Sequence, residues 1–230
     1  MDLDLAQRAF ATITKGVSVT LTLAATSAVI GFCLGLCLAM MRVSSNRFLQ
    51  KFAEYYSAVF RGTPLLVQLF LFYYGLGQFE FVRNNTILWS VIGGGMNCAI
   101  MALSLNTAAY TSEILRGGLM SVPVGLIEAA KAAGMSRMMR FRRIEFPLAI
   151  RQALPAYSNE LILIVKGTSL ASTITVLEIT GHAKRLMSQT YAIFEIFAIA
   201  GVFYLVINTI LVLLVRYFEG RLTRYQTASR

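Results

Sequence analysis

Long apolar runs separated by short charged stretches fill the chain. A helix needs about 20 mostly apolar residues to cross the hydrocarbon of a bilayer, and five stretches meet that requirement. Residues 17–41, VSVTLTLAATSAVIGFCLGLCLAMM, carry no charge. Residues 62–79, GTPLLVQLFLFYYGLGQF, are also uncharged and extend backward into AEYYSAVF. Residues 84–112 are uncharged throughout and contain a third span. Between Arg151 and Glu178 the only charges are Glu160 and Lys166, so a fourth span carries two ionisable groups. Residues 196–215 make the fifth. The pattern predicts an all-α integral membrane protein with five transmembrane helices. An outer amino-terminal segment, 1–16, precedes a transmembrane domain over 17–217, and a cytoplasmic tail, 218–230, follows.

Composition supports this class. The chain is 57% hydrophobic and 14% charged, against about 45–50% and about 25% in ordinary globular domains. A net charge of +10 would ordinarily raise nucleic acid or an anionic surface as partner, but its distribution reports topology instead. With five spans, one side holds Arg42, Arg47, Lys51, Arg61, Arg116, Lys131, Arg137, Arg140, Arg142, Arg143, Arg151, Arg216, Arg221, Arg224 and Arg230. The other holds Arg8, Lys15, Arg83, Lys184 and Arg185. This positive-inside bias predicts an outward amino terminus and a cytoplasmic tail, and it explains the excess charge without nucleic acid. MDLDLAQRAF has acids where a signal peptide would be basic. The three cysteines have no ligand spacing, and Cys33 and Cys37, one turn apart, read as small packing residues. His182, in the outer loop GHAKRL, is too isolated for a metal ligand. No GxxxxGK[ST] phosphate loop occurs, and Gly93-Gly94-Gly95 lacks the following lysine. The chain is therefore expected to bind no cofactor and to hydrolyse no ATP.

Between the third and fourth spans runs SVPVGLIEAAKAAGMSRMMRFRRIEFP, from Ser121 to Pro147. Ser121 and Pro123 suit a helix start. Ala129, Ala130, Ala132 and Ala133 favour helix, and Gly134 then ends or bends it. A second helical piece is expected to reach about Phe146, before Pro147. The alanines leave a shallow face on which another protein could pack, and Met135, Met138 and Met139 add soft side chains that suit adaptable docking or simple packing. The alternative is a solvated basic loop at lipid headgroups.

The order of residues in that segment carries a resemblance. Glu128-Ala129-Ala130, three residues, Gly134, nine residues, then Ile144-Glu145-Phe146-Pro147 resembles the EAA motif of bacterial ABC-importer permeases, with Phe146 where leucine is usual. Arg61-Gly62-Thr63-Pro64 with LLVQL, Asn106-Thr107-Ala108-Ala109-Tyr110 with TSEILRGG, and LPAYSNELILIVKGTSLAS look like the polar-amino-acid group. RVSSN, LNTAAYTSEI, LPAYSNE and TSLASTITVLEITG are similar to M-type permeases for histidine, lysine, arginine and ornithine, and for the opines octopine and nopaline. The resemblance covers about residues 17–217. It implies the type I importer permease fold in a bacterial inner membrane. It also implies that Glu128, Ala129, Ala130, Gly134, Met135 and Pro147 belong to a cytoplasmic coupling helix that docks on an ATP-binding subunit. Two such subunits would carry ATP and Mg. A second permease chain, of a related Q type or a second copy, and a periplasmic solute-binding protein would complete the complex.

Against that background the intramembrane polar groups become candidates. An ionised group near the bilayer centre costs about 2.5–3.5 kcal/mol on insertion scales and usually faces protein or a watery cavity. Glu160, in Ser158-Asn159-Glu160, would suit a guanidinium or ammonium substrate. Its bland alternative is an ion pair with Lys166, which a six-residue offset disfavours within one helix, or with an arginine of a neighbouring chain. Asn106, Thr107 and Tyr110 offer amide and hydroxyl groups to an amino acid, or bond to other helices. Lys166, Thr168 and Ser169 would close a gate, meet a substrate carboxylate or contact another chain. Thr63 and Pro64 read as N-cap and first residue of a helix, or Pro64 kinks a span that begins near Tyr55. Arg61 either snorkels at the boundary or pairs with Glu113 at a gate. Rival functions are a permease of the same kind for neutral or acidic amino acids, and an ion-gradient-driven transporter, which would show paired inverted halves. An integral membrane enzyme would need a chemical constellation that the sequence lacks.

Overall fold

The computed structural model describes residues 3–222, and every regular element among them is helical. Helix α1 runs unbroken from Leu3 to Arg42, so residues 3–16 of the expected outer segment continue into the first span. Asp4 in its first turn and Arg42 in its last complement the helix dipole. Ser27, Gly31, Gly35 and Ala39 recur every fourth residue and are buried. They meet α6, Gly95–Met120. A Cβ at Gly31 would lie 2.6 Å from Thr107 Cγ2, and one at Gly35 2.6 Å from Thr111 Cβ. In lipid, where no hydrophobic force drives helices together, such close backbone approach supplies the packing. The GFCLG spacing was a visible signal for this contact. Cys33 and Cys37 face outward from α1 instead of packing inside the chain.

The second expected span is divided. Helix α2, Arg47–Gly62, meets α3, Leu65–Phe70, at a bend of 100°. From α3 the chain continues through a π turn, Leu71–Gly75, and a 3-10 turn to Gln78. Proline pushes the residue before it out of the helical region, and Thr63 is extended at φ −111°, ψ 142°. Thr63 is therefore not the N-cap of the following helix. Its hydroxyl donates backward to the Val59 carbonyl at 2.8 Å, and Pro64 holds the cap position, so the kinked alternative is the one observed. Two short helices, α4 (Glu80–Asn84) and α5 (Thr86–Ile92), precede α6, with Asn85 capping the second of them. Helix α6 starts well after Asn84 and runs beyond Ser112, carrying Glu113 and Arg116.

After α6 comes α7, Val124–Ala132. Gly134 adopts φ +75°, and its N–H donates to the Lys131 carbonyl while that of Met135 reaches Ala130. That is the left-handed termination glycine permits. Helix α8, Arg137–Arg140, passes through a π turn, Phe141–Glu145, into α9, Phe146–Gly167. The second helical piece thus does not stop before Pro147. The proline sits in the first turn of α9, where its missing N–H is tolerated, and the wide π turn relieves the clash behind its ring. A 3-10 turn, Thr168–Ile174, prolongs α9, and α10, Ile179–Thr190, follows at a 45° bend. Helix α11, Ile193–Leu222, closes the described chain.

By length and composition α1 and α11 suffice to cross a membrane, and the bent pairs raise the number to as many as four. Helix α6 spans about 39 Å at 1.5 Å per residue but is more polar, and it is shielded by α1, α2 and α9. In chain order α1, the α2–α3 pair, α6, the α8–α10 run and α11 carry the five apolar stretches, as candidate spans, with α6 falling short of the other four by composition. Residues 223–230 of the tail, with Arg224 and Arg230, lie outside the described residues, as do residues 1 and 2.

Gly35→Leu should force α1 off α6 at an overpacking cost of about 1–3 kcal/mol, read as a lower unfolding temperature of the purified chain in detergent. Gly62→Ala, with nothing within 4 Å of its added Cβ, should leave that temperature unchanged or raise it slightly.

Candidate functional site

Leu103, Asn106, Thr107 and Tyr110 fall at i, i+3, i+4 and i+7 and share one face of α6. Across from them stand Glu160, Leu163 and Ile164 of α9 and Leu65, the first residue of α3. Together these residues line a cavity of about 150 Å³. Glu160 is 5% exposed, and the Thr107 hydroxyl lies beside its carboxyl group. A carboxylate, a hydroxyl, an amide and a phenol thus converge in a space otherwise walled by leucine and isoleucine. Such a site can accept from an ammonium or guanidinium group through charge-assisted hydrogen bonds.

One wall of the cavity is held by the bend at Thr63–Pro64. Gln68, buried on α3, donates through Nε2 to the Phe60 carbonyl (2.8 Å), the Thr63 carbonyl (3.1 Å) and Thr63 Oγ1 (2.8 Å). Asn106 Nδ2 donates to the same Phe60 carbonyl and to Gln68 Oε1, both at 3.1 Å. Of the two readings of Asn106, helix–helix bonding therefore describes its amide N–H. Gln68 is the residue the sequence reading missed, although a single amide inside LLVQLF was the available signal.

Below Tyr110 lies an ion cluster centred on Glu113. Arg42, from the end of α1, bonds its Oε1, and Arg116 grips Oε2 through Nε at 3.1 Å and Nη2 at 3.0 Å. Arg61 stands 3.8 Å from Oε1 and places its guanidinium 5.5 Å from the Tyr110 ring centroid. The expected pairing of Arg61 with Glu113 is present, and it joins the cluster to the cavity wall.

Other candidates stand apart from the cavity. Ser158 Oγ lies 2.7 Å from the Leu154 carbonyl and 2.8 Å from Glu219 Oε1, facing α11. Asn159 is exposed. Lys166 lines a separate groove with Tyr204, Asn208 and Arg216, so the two charges of α9 do not meet. Thr168 and Ser169 donate to the Val165 and Lys166 carbonyls, both at 2.7 Å, and tie off the end of α9.

The α7–α8 segment presents an apolar surface. Ala130 packs inward, Met135 is half-buried, and Glu128, Ala129 and Gly134 are exposed. Val124, Leu126, Met138 and Met139 are exposed around them. Arg140 Nε bonds Glu145 Oε1 at 2.5 Å across the π turn, next to Pro147.

Residues 31–224 match the model of the binding-protein-dependent transport system inner membrane component. The chain belongs to that family. It is 51% identical over 228 residues to the nopaline transport system permease protein NocM of Agrobacterium fabrum, covering 99% of this chain and 95% of that one. The octopine transport system permease protein OccM of Rhizobium radiobacter is 53% identical over 213 residues, 93% and 86% of the two chains. The histidine/lysine/arginine/ornithine permease HisM of Escherichia coli is 47% identical over 206 residues, 90% and 87%. Among solved structures, an amino acid ABC transporter crystallised with histidines aligns at a TM-score of 0.85 and 34% identity over 96% of this chain and 99% of that one. The fold is that of type I ABC importer permeases, and this permease is a transport subunit and not an enzyme, ATP hydrolysis residing on a separate subunit. Family members work in general with an ATPase, a second permease and a binding protein.

Gln68→Leu should leave the Phe60 and Thr63 carbonyls without this donor, at about 1–3 kcal/mol, and lower the unfolding temperature in detergent. A double-mutant cycle with Asn106→Leu should show coupling of about 0.5 kcal/mol or more; additive effects would mean the two amides act independently.

Proposed function

We propose that this permease forms the translocation path for basic amino acids or arginine-derived opines, with Glu160 receiving the cationic side chain. The observation that carries the reading is the convergence of Glu160, Thr107, Asn106 and Tyr110 on one small cavity. The named substrates of NocM, OccM and HisM support it, since each of those opines and basic amino acids has a cationic nitrogen. The Glu113–arginine cluster is the gate beneath the cavity, Arg61 linking the two. Residues 124–147 dock on one of two ATP-binding subunits, which hold ATP and Mg. The second permease chain is a Q-type relative or a second copy, and a periplasmic binding protein delivers the substrate. The arginine-rich ends face the cytoplasm of a bacterial inner membrane and the amino terminus faces the periplasm, a reading that the positive-inside bias supports.

ATP-driven closure of the ATPase pair shifts the permease between states of opposite access, because the partner binds the two arrangements of residues 124–147 differently.

Transport in proteoliposomes should need the ATPase and the binding protein together; uptake by the permease pair alone on an ion gradient would overturn the assignment. Glu160→Gln should cut uptake of the cationic substrate by about 10–100-fold, the loss of one charged hydrogen bond of about 1.5–3 kcal/mol. Unchanged uptake would remove Glu160 from the path. Gly134→Asp, which places a side chain at φ +75°, should abolish substrate-stimulated ATP hydrolysis while the chain still inserts and assembles with the second permease.

A further inference from the structure

Helix α2 carries three stripes at helical spacing. Leu49, Ala53, Tyr56 and Phe60 turn inward: Ala53 is fully buried, and the Tyr56 hydroxyl donates to the Leu105 carbonyl at 2.9 Å. One position back, Phe48, Phe52, Tyr55 and Val59 face out of the bundle, with Phe48 77% and Tyr55 74% exposed. The third stripe, Arg47, Lys51, Glu54 and Arg61, sets three cations against one acid.

The orientation of α2 follows from its contacts. Arg42, at the end of α1, and Arg61, in the last turn of α2, both reach Glu113. The chain therefore returns to the depth it left, and α2 lies across the bundle, not along it. Tyr56 and Ser57 are neighbours, yet they reach Leu105 and Ser112 of α6, about 10 Å apart along that helix. Helix α3 then departs at 100° with an apolar sequence. A cluster of one carboxylate and three guanidinium groups marks the depth where charge is tolerated, the membrane–water boundary. At that depth a helix with a basic face, low net hydrophobicity and an aromatic face has the composition of one lying in the interface.

We propose that α2 is an interfacial helix in the leaflet nearest the Glu113 cluster. Its Phe48–Phe52–Tyr55 stripe sits at the acyl–headgroup boundary, and Arg47 and Lys51 bind the phosphates of anionic phospholipids. Lipid suits this face because the exposed aromatics are bordered directly by the cations, matching a surface that is apolar beneath and anionic above. Anionic lipid would then hold the α2–α3 bend, and with it Leu65 and Gln68, in the position that shapes the cavity.

The test uses Phe52→Trp in the assembled transporter, reconstituted with brominated phospholipids, and reads the emission gained over the parent. Bromines near the headgroup should quench that emission more than bromines at the acyl terminus. Brominated phosphatidylglycerol should quench at about 5- to 30-fold lower mole fraction than brominated phosphatidylcholine, about 5-fold for each surface cation engaged. Arg47→Gln with Lys51→Gln should bring that ratio to about 1. Emission that neither lipid quenches would overturn the proposal by showing that protein, such as the second permease chain, covers the stripe. Equal quenching by the two lipids, or a preference that survives the double substitution, would overturn the anionic-headgroup assignment.

Discussion

The close approach of α1 to α6 is the contact on which the rest of this molecule depends. Gly31 leaves room for the Thr107 methyl group, and a side chain there would displace it. A β-branched residue has few rotamers on a helix, so fixing the methyl against α1 aims the Thr107 hydroxyl toward Glu160. The same helix face meets α9 at Gly118, where an added Cβ would lie 2.5 Å from the Ala149 carbonyl. Small residues along these contacts thus hold α1 and α9 near enough to α6 for a cavity of about 150 Å³ to have defined walls.

The second constraint is that buried backbone groups must find partners inside the protein. A right-angled bend frees the last carbonyls of α2 and the first N–H groups of α3. Gln68 and Asn106 take up the carbonyls of Phe60 and Thr63, and Thr63 takes up that of Val59. The bend is therefore a paired structure, and one of its two amides, Asn106, also lines the cavity. Glu113 plays the corresponding role for charge, offsetting three guanidinium groups that three different helices bring to one place.

Much of the fold was legible because its signals are local. Hydropathy and length marked the apolar runs, Gly134 marked the end of α7, and the spacing from Glu128 to Pro147 marked the family. Glu160 stood out because a lone carboxylate in an apolar run needs a reason. What a linear reading does not contain is direction. Ser158 and Glu160 are two positions apart, yet they face α11 and the cavity respectively, and only the packing of α9 decides which is which. The course of α2 was hidden for the same reason: its aromatic residues read as the start of a span until the contacts with α6 turned it sideways. Pro147 misled because a proline usually ends a helix, whereas a π turn ahead of it lets this one continue.

That continuity joins α8, the π turn and α9 into one helical run, with Pro155 inside α9 as a point in the arm where a helix hydrogen bond is missing. From Glu145 to Glu160 the arm is about 22 Å long at 1.5 Å per residue. Tilting it around the Gly167 end of α9 would carry Glu145 farther than Glu160, in proportion to their distances from the pivot. A coarse displacement at the α8 end thus arrives as a finer one at the carboxylate. With the cavity only one small molecule wide, such a reduction in stroke would let the exposed segment move farther than the cavity walls.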